Sequence, residues 1–127
     1  MGVWEGQPRE HIYQMHVLQQ IKEDPWNFAP PGGESQRQVE ERMMSWLEQR
    51  VLPLKKSNGD PTRVLAVSHG LALKCLLRGI MGFSPQHAFR ATLGNTGIIQ
   101  LKHSTQGWHL IRFNDTAHLV HDAPLAQ

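Results

Sequence analysis

The stretch Arg63-Val64-Leu65-Ala66-Val67-Ser68-His69-Gly70-Leu71-Ala72-Leu73-Lys74-Cys75-Leu76-Leu77-Arg78-Gly79-Ile80 decides the fold class. Its first part, Val64 to Val67, is short, continuously apolar and half β-branched. That suits a strand buried on both faces, because a half-exposed strand would alternate apolar with polar. At His69-Gly70 the pattern switches to helix formers, closed by Gly82, so the unit reads as strand, tight turn, helix. An α/β protein follows, with a central strand at about 63–68.

Downstream, Ser84-Pro85 suits a short helix to Phe89. The runs 97–102 and 108–113 flank Ser104-Thr105-Gln106-Gly107, which predicts an antiparallel hairpin at about 97–113. Upstream, Asn58-Gly59-Asp60-Pro61 is a turn. Before it, Ser35 is a good N-cap with Gln38 three residues on, the capping-box pattern. Val39, Met43, Trp46 or Leu47, and Val51 give that helix one apolar face, with Glu and Arg opposite. Trp26 to Gly33 is a loop, since Pro30-Pro31-Gly32-Gly33 sustains neither regular element. An earlier helix is expected from Pro8 to about Asp24, ended by Pro25, with Ile12, Met15 or His16, Gln19 and Lys22 at helical spacing and Val17, Leu18 and Ile21 on a neighbouring stripe.

The chain has 127 residues and 14.4 kDa, enough for one domain. Scaling laws give roughly 6,800 Å² folded against roughly 21,000 Å² unfolded, so a substantial core is possible. With 39% hydrophobic and 19% charged residues the composition is that of an ordinary globular protein, not of a disordered tail. No apolar run approaches the roughly 20 residues of a membrane span, and Met1 to Gly6 lacks the features of a signal peptide. A cytoplasmic location is expected. The single cysteine, Cys75, cannot form an internal disulfide and reads as a small buried residue, suited to a reducing compartment.

The net charge is +2 with neutral histidines, and basic residues are interspersed with acids except at Lys55-Lys56. Nucleic-acid and membrane partners are therefore not expected. His118 with His121, and His103 with His109, lack the four-ligand pattern of a zinc site, so no metal or other cofactor is expected. Trp4, Trp26, Trp46 and Trp108 read as core packing, since no basic groove accompanies them.

The sharpest chemical feature is Ser68-His69-Gly70. Ligands of open α/β sheets bind beyond the carboxyl ends of strands, and here a helix would point unpaired N–H groups into that place. An anion is the expected guest. Gly70 allows close backbone approach, and a protonated His69 would add charge and a directional donor, the combination suited to a phosphoryl group. A histidine that merely caps the turn is the plainer reading of the same spacing.

Val67-Ser68-His69-Gly70, between apolar strand and helix, resembles the second histidine motif of the histidine phosphatase superfamily, the phosphoglycerate-mutase-like proteins. Gly2-Val3-Trp4-Glu5-Gly6 resembles the segment after that family's acidic residue, and Pro31-Gly32-Gly33-Glu34-Ser35 its Gly-Glu-Ser helix start. Leu93-Gly94-Asn95-Thr96-Gly97 and Asn114-Asp115-Thr116-Ala117-His118-Leu119 resemble its last strand and tail. The resemblance covers nearly the whole chain. It implies a partial three-layer sandwich with a mixed sheet, a single truncated domain over 1–127, and phosphomonoester hydrolysis through a phosphohistidine in the complete enzyme. It assigns His69 as the catalytic residue retained here, with His69 and Gly70 binding phosphate.

The family's Arg-His-Gly motif is missing: no Arg-His dipeptide occurs, and Arg9-Glu10-His11 is no substitute because helical Arg9 and His11 point to different sides. The acidic donor would precede residue 1. Phosphoryl transfer needs a nucleophile, donors around the equatorial oxygens and a proton source, so the isolated chain is expected to have negligible phosphatase activity. Loss of a neighbouring strand would also expose an apolar sheet edge, to be covered by a homodimer, a swapped assembly or a complementing N-terminal segment. The expected small-molecule partner is a phosphate ester or inorganic phosphate.

Two other readings fit the residues. Ala66-Val67-Ser68-His69-Gly70 matches a loosened nucleophile elbow with Ser68 attacking and Asp115 followed by His118 or His121, although only three residues separate Asp115 from His118. A non-catalytic phosphate-ligand or partner-binding remnant would bind without turnover. Within the resembled family, Leu71-Ala72 places apolar residues where a mutase is expected to carry polar ones, and Gly2 to Arg9 lacks the arginines expected to grip a bisphosphate, which favours the phosphatase branch.

Overall fold

A capping box starts the helix that follows Ser35. The Ser35 hydroxyl accepts from the Gln38 N–H at 3.2 Å, and the Ser35 N–H donates to Gln38 Oε1 at 2.8 Å, as the S-x-x-Q spacing predicts. The computed structural model describes residues 2–54, 60–88 and 90–119. Its elements are α1 (Arg9–Ile12), α2 (Met15–Glu23), α3 (Gln36–Trp46, continued by a π-helical turn Leu47–Val51), α4 (Gly70–Met81), α5 (Pro85–Ala88), β1 (Ile98–Ser104) and β2 (Gly107–Asp115). The chain is thus α/β, and it divides into two compact units, 1–88 and 89–127. No helix among the described residues is long and apolar enough to cross a membrane.

In the first unit α3 packs on α4. The two helices approach closely at Gly79, where an added Cβ would meet Met44 Cγ at 2.9 Å and Glu40 Cγ at 3.1 Å. Leu47, Cys75, Leu76 and Leu77 are buried. The expected apolar face is present through Leu47, with Val39, Met43 and Val51 half-buried and Trp46 exposed, and Glu40 joins the helix contact as the ion-pair partner of Arg78. Arg78 also stacks over the Trp26 ring at 4.3 Å and donates to the Phe83 carbonyl at 3.4 Å. The tryptophans are therefore partners at the surface of the packing. Trp4, similarly, stacks on Phe28 with centroids 5.8 Å apart.

The single helix expected over 8–24 is two. Tyr13 (φ −89°, ψ 54°) and Gln14 (φ −68°, ψ 159°) break it. Ile12 and Val17 are both buried, and five residues of unbroken helix would set them about 140° apart. The break lets both face inward, while Met15 and Leu18 remain exposed. Beyond α2, Asp24 accepts from the Asn27 backbone and side-chain amides at 3.0 and 2.8 Å, which fixes the turn after Pro25.

The expected central strand at 63–68 is not formed. Residues 60–69 carry neither helix nor strand, and Val64 to Val67 are exposed, Leu65 to 92% and Val67 to 94%. The reason is relational: a strand exists only when its N–H and C=O groups pair with a neighbour, and the sheet among the described residues is the β1–β2 pair alone. The turn expected at 58–61 lies partly outside the described residues.

In the second unit the hairpin forms as expected. Residues 105–106 connect the strands, Gly107 adopts φ 104°, and the antiparallel register runs Ser104 to Gly107, His103 to Trp108 and Leu101 to Leu110, with irregularities between Ile98 and Leu101. α4 ends at Gly82 in the left-handed region (φ 68°), the C-terminal signal anticipated for it.

Candidate functional site

His69 stands at the N-cap of α4. Its backbone is extended (φ −99°, ψ 150°), its carbonyl accepts the Leu73 N–H at 3.0 Å, and its exposed ring makes no capping hydrogen bond. Helix geometry leaves the N–H groups of Gly70, Leu71 and Ala72 without intrahelical acceptors. No acidic residue lies in this first turn, so the positive end of the helix dipole is not offset locally. An added Cβ at Gly70 would meet nothing within 4 Å among the described residues.

The structure therefore brings His69 and Gly70 together at a helix tip, with Ser68 exposed beside them. Arg78, on the same helix, is roughly 13 Å farther along at 1.5 Å per residue and is held by Glu40 and Trp26. Arg9 lies over the Tyr13 ring at 5.5 Å, and His11 is exposed on the short α1. What this tip offers an oxyanion is one imidazole and a set of backbone N–H groups, with the Ser68 hydroxyl exposed beside them.

The second unit assembles the two C-terminal motif pieces around Asn114. Its Oδ1 accepts the Gly94 N–H at 2.8 Å and would lie 2.6 Å from a Cβ at Gly97, so this close approach requires glycine there. Thr96 and Asn114 both adopt positive φ, 58° and 51°. Thr96 Oγ1 lies 3.2 Å from His118 Nε2. The Asp115 carboxylate accepts from the Ala117 N–H at 3.0 Å and Arg112 Nη1 at 3.1 Å, and these bonds hold it below the usual carboxylate range. For the Ser68 reading, then, Asp115 is oriented by Arg112 and Ala117, and His118 by Thr96. His121 lies outside the described residues.

His109 Nε2 lies 2.8 Å from Ser104 Oγ, and His103 meets the Trp108 ring edge-on at 4.9 Å. No group of three or more potential metal ligands occurs among the described residues.

With this geometry in hand, comparison with known proteins is informative. The sequence model of the histidine phosphatase superfamily (branch 1) matches residues 1–116. The chain is 27% identical over 116 residues to a 2,3-bisphosphoglycerate-dependent phosphoglycerate mutase of Methanosarcina mazei, a match covering 90% of this chain and 46% of that protein. It is 35% identical over 100 residues to a probable phosphoglycerate mutase GpmB of Shigella boydii (74% of this chain, 43% of the relative). A probable phosphoglycerate mutase GpmB of Yersinia enterocolitica is 33% identical over 94 residues, 70% of this chain and 41% of the relative. The matched part spans less than half of each relative's length.

Proposed function

The chain belongs to the histidine phosphatase superfamily, branch 1, and we propose that it carries one half of a phosphate cradle, with His69 and the amides that follow it as the anion-binding groups. The observation that carries this reading is the exposed, uncapped imidazole of His69 beside the first turn of α4. In the whole protein the reading takes phosphomonoester chemistry through a phosphohistidine on a three-layer α/β sandwich. His69 would there stabilise charge on the transferring phosphoryl while another histidine attacks it.

This chain has no Arg-His dipeptide to supply that nucleophile, so it binds phosphate without turning over esters. The relatives are named as mutases. Leu71-Ala72, where polar residues would serve a mutase, supports a hydrolytic branch for this protein. The lone Cys75 supports a reducing, cytoplasmic setting.

The test is titration of the purified chain with inorganic phosphate and with vanadate, followed by amide and imidazole NMR shifts, alongside p-nitrophenyl phosphate turnover. Shifts concentrated at 69–72 and lost in His69→Ala, with no turnover, are expected. Turnover abolished by His69→Ala contradicts the binding-only assignment, and saturable binding indifferent to His69→Ala removes the cradle. Covalent labelling of Ser68 by a fluorophosphonate without phosphate binding would favour the nucleophile-elbow alternative.

A further inference from the structure

A cavity of about 400 Å³ opens beside the break between α1 and α2, within the size range of sites for small organic ligands. Five residues of unbroken helix would set His11 and His16 about 140° apart. The break at Tyr13-Gln14 brings both to the same space, together with Ile12 and Val17. The buried Ile12 and Val17 form an apolar floor, and the exposed His11, Gln14 and His16 stand at the mouth. One wall is aromatic: Trp4 lies on Phe28 with centroids 5.8 Å apart and 28° between the planes.

We propose that this cavity binds a planar aromatic carboxylate, with its ring against the Trp4–Phe28 wall and its carboxylate between the His11 and His16 imidazoles. The inference goes beyond the phosphate reading, since the cavity shares no residue with the helix tip at His69.

The lining selects this class of ligand. Imidazole and amide side chains can each donate N–H groups, and no carboxylate lines the cavity among the described residues, so an acceptor-rich anion is received without repulsion. The floor and wall reward hydrocarbon, and a flat ring meets an aromatic wall in the offset stack that such rings prefer. The wall is also held before any ligand arrives. The Val3 N–H donates to the Pro31 carbonyl at 3.0 Å, and the Phe28 N–H donates to the Asp24 carbonyl at 3.0 Å. Gly2 (φ 62°) passes so close that a Cβ there would lie 2.2 Å from the same Pro31 oxygen. A wall fixed in this way lowers the ordering cost of binding.

The test titrates the whole chain with 2-naphthoate and with its neutral counterpart 2-naphthamide, followed by NMR of the imidazoles and of the Trp4 indole N–H. Saturable shifts at Trp4, His11 and His16 are expected with 2-naphthoate. The amide is expected to bind about tenfold more weakly, because it lacks the charge that strengthens the imidazole bonds. His11→Ala/His16→Ala should lower 2-naphthoate affinity by a similar factor with unchanged helical circular dichroism, since both side chains are exposed. Equal affinity for the two probes, wild-type affinity in the double variant, or no saturation below about 10 mM would each overturn the proposal. Displacement of 2-naphthoate by inorganic phosphate, with shifts confined to residues 69–72, would do so too, by placing the probe at the helix tip.

Discussion

Arg78 is the residue whose replacement tests the packing of the first unit most directly. Its guanidinium makes paired bonds to both carboxylate oxygens of Glu40, with 20% and 13% of the two side chains exposed. Removing one partner of a fully buried pair costs about 3–5 kcal/mol, because the other charge stays buried alone. An exposed pair is worth about 0–1 kcal/mol. The residual exposure here lets water reach part of the orphaned carboxylate, so Arg78→Met, which keeps the stem over Trp26, is expected to cost about 2–3 kcal/mol. The double variant Arg78→Met/Glu40→Met should recover at least half of that loss, since no unpaired charge is left between α3 and α4. Urea unfolding followed by circular dichroism reads both quantities, and the double-mutant cycle isolates the coupling. A cost below about 0.5 kcal/mol for the single change, or a double variant less stable than the single, would show that the pair behaves as a surface pair and does not organise the α3–α4 contact.

Other measurements probe other links of the same chain. Ser35→Ala removes the hydroxyl that accepts the Gln38 N–H and should cost about 1 kcal/mol in the same unfolding assay, with Ser35→Asp retaining most of it. Asp24 is held below the usual aspartate value first by the Asn27 side-chain bond and then by the Asn27 backbone bond. Because its folded pKa lies below its unfolded one, its contribution is present above about pH 4 and fades as pH falls through the lower folded value; an NMR titration of Asn27→Ala should find Asp24 shifted upward. Burial, and then the charge of Glu40, pushes the Cys75 thiol up. Iodoacetamide at pH 8 should therefore alkylate it only after denaturant is added, and labelling of the native chain at the rate of a free thiol would show the site to be open.

What the amino-acid order disclosed is what neighbours along the chain decide. Ser35 and Gln38 are three residues apart and form their reciprocal bonds within one helical turn. The left-handed Gly82 and the connection at 105–106 are equally local, so α4 and the hairpin fall where expected. The Glu40–Arg78 pair joins residues 38 apart, and no periodicity in either helix marks Glu40 as inward-facing. The break at Tyr13-Gln14 is hidden for a similar reason. It follows from the need to bury Ile12 and Val17 together, and a run of helix formers carries no record of that need.

The site shows the same division. His69 and Gly70 could be placed at a helix start because the change from a short apolar run to helix formers is written in consecutive positions, and α4 begins where that change occurs. The strand leading to it could not, because β-propensity in Val64 to Val67 measures fitness for a paired, covered surface, and pairing is a property of two segments. Exposed to 92% and 94%, Leu65 and Val67 show how much of that surface remains unsatisfied in a single chain. The position of the His69 ring depends on the backbone that precedes it, so the order of residues along the chain places the helix tip and its amides and leaves the ring's own setting to whatever the preceding segment packs against.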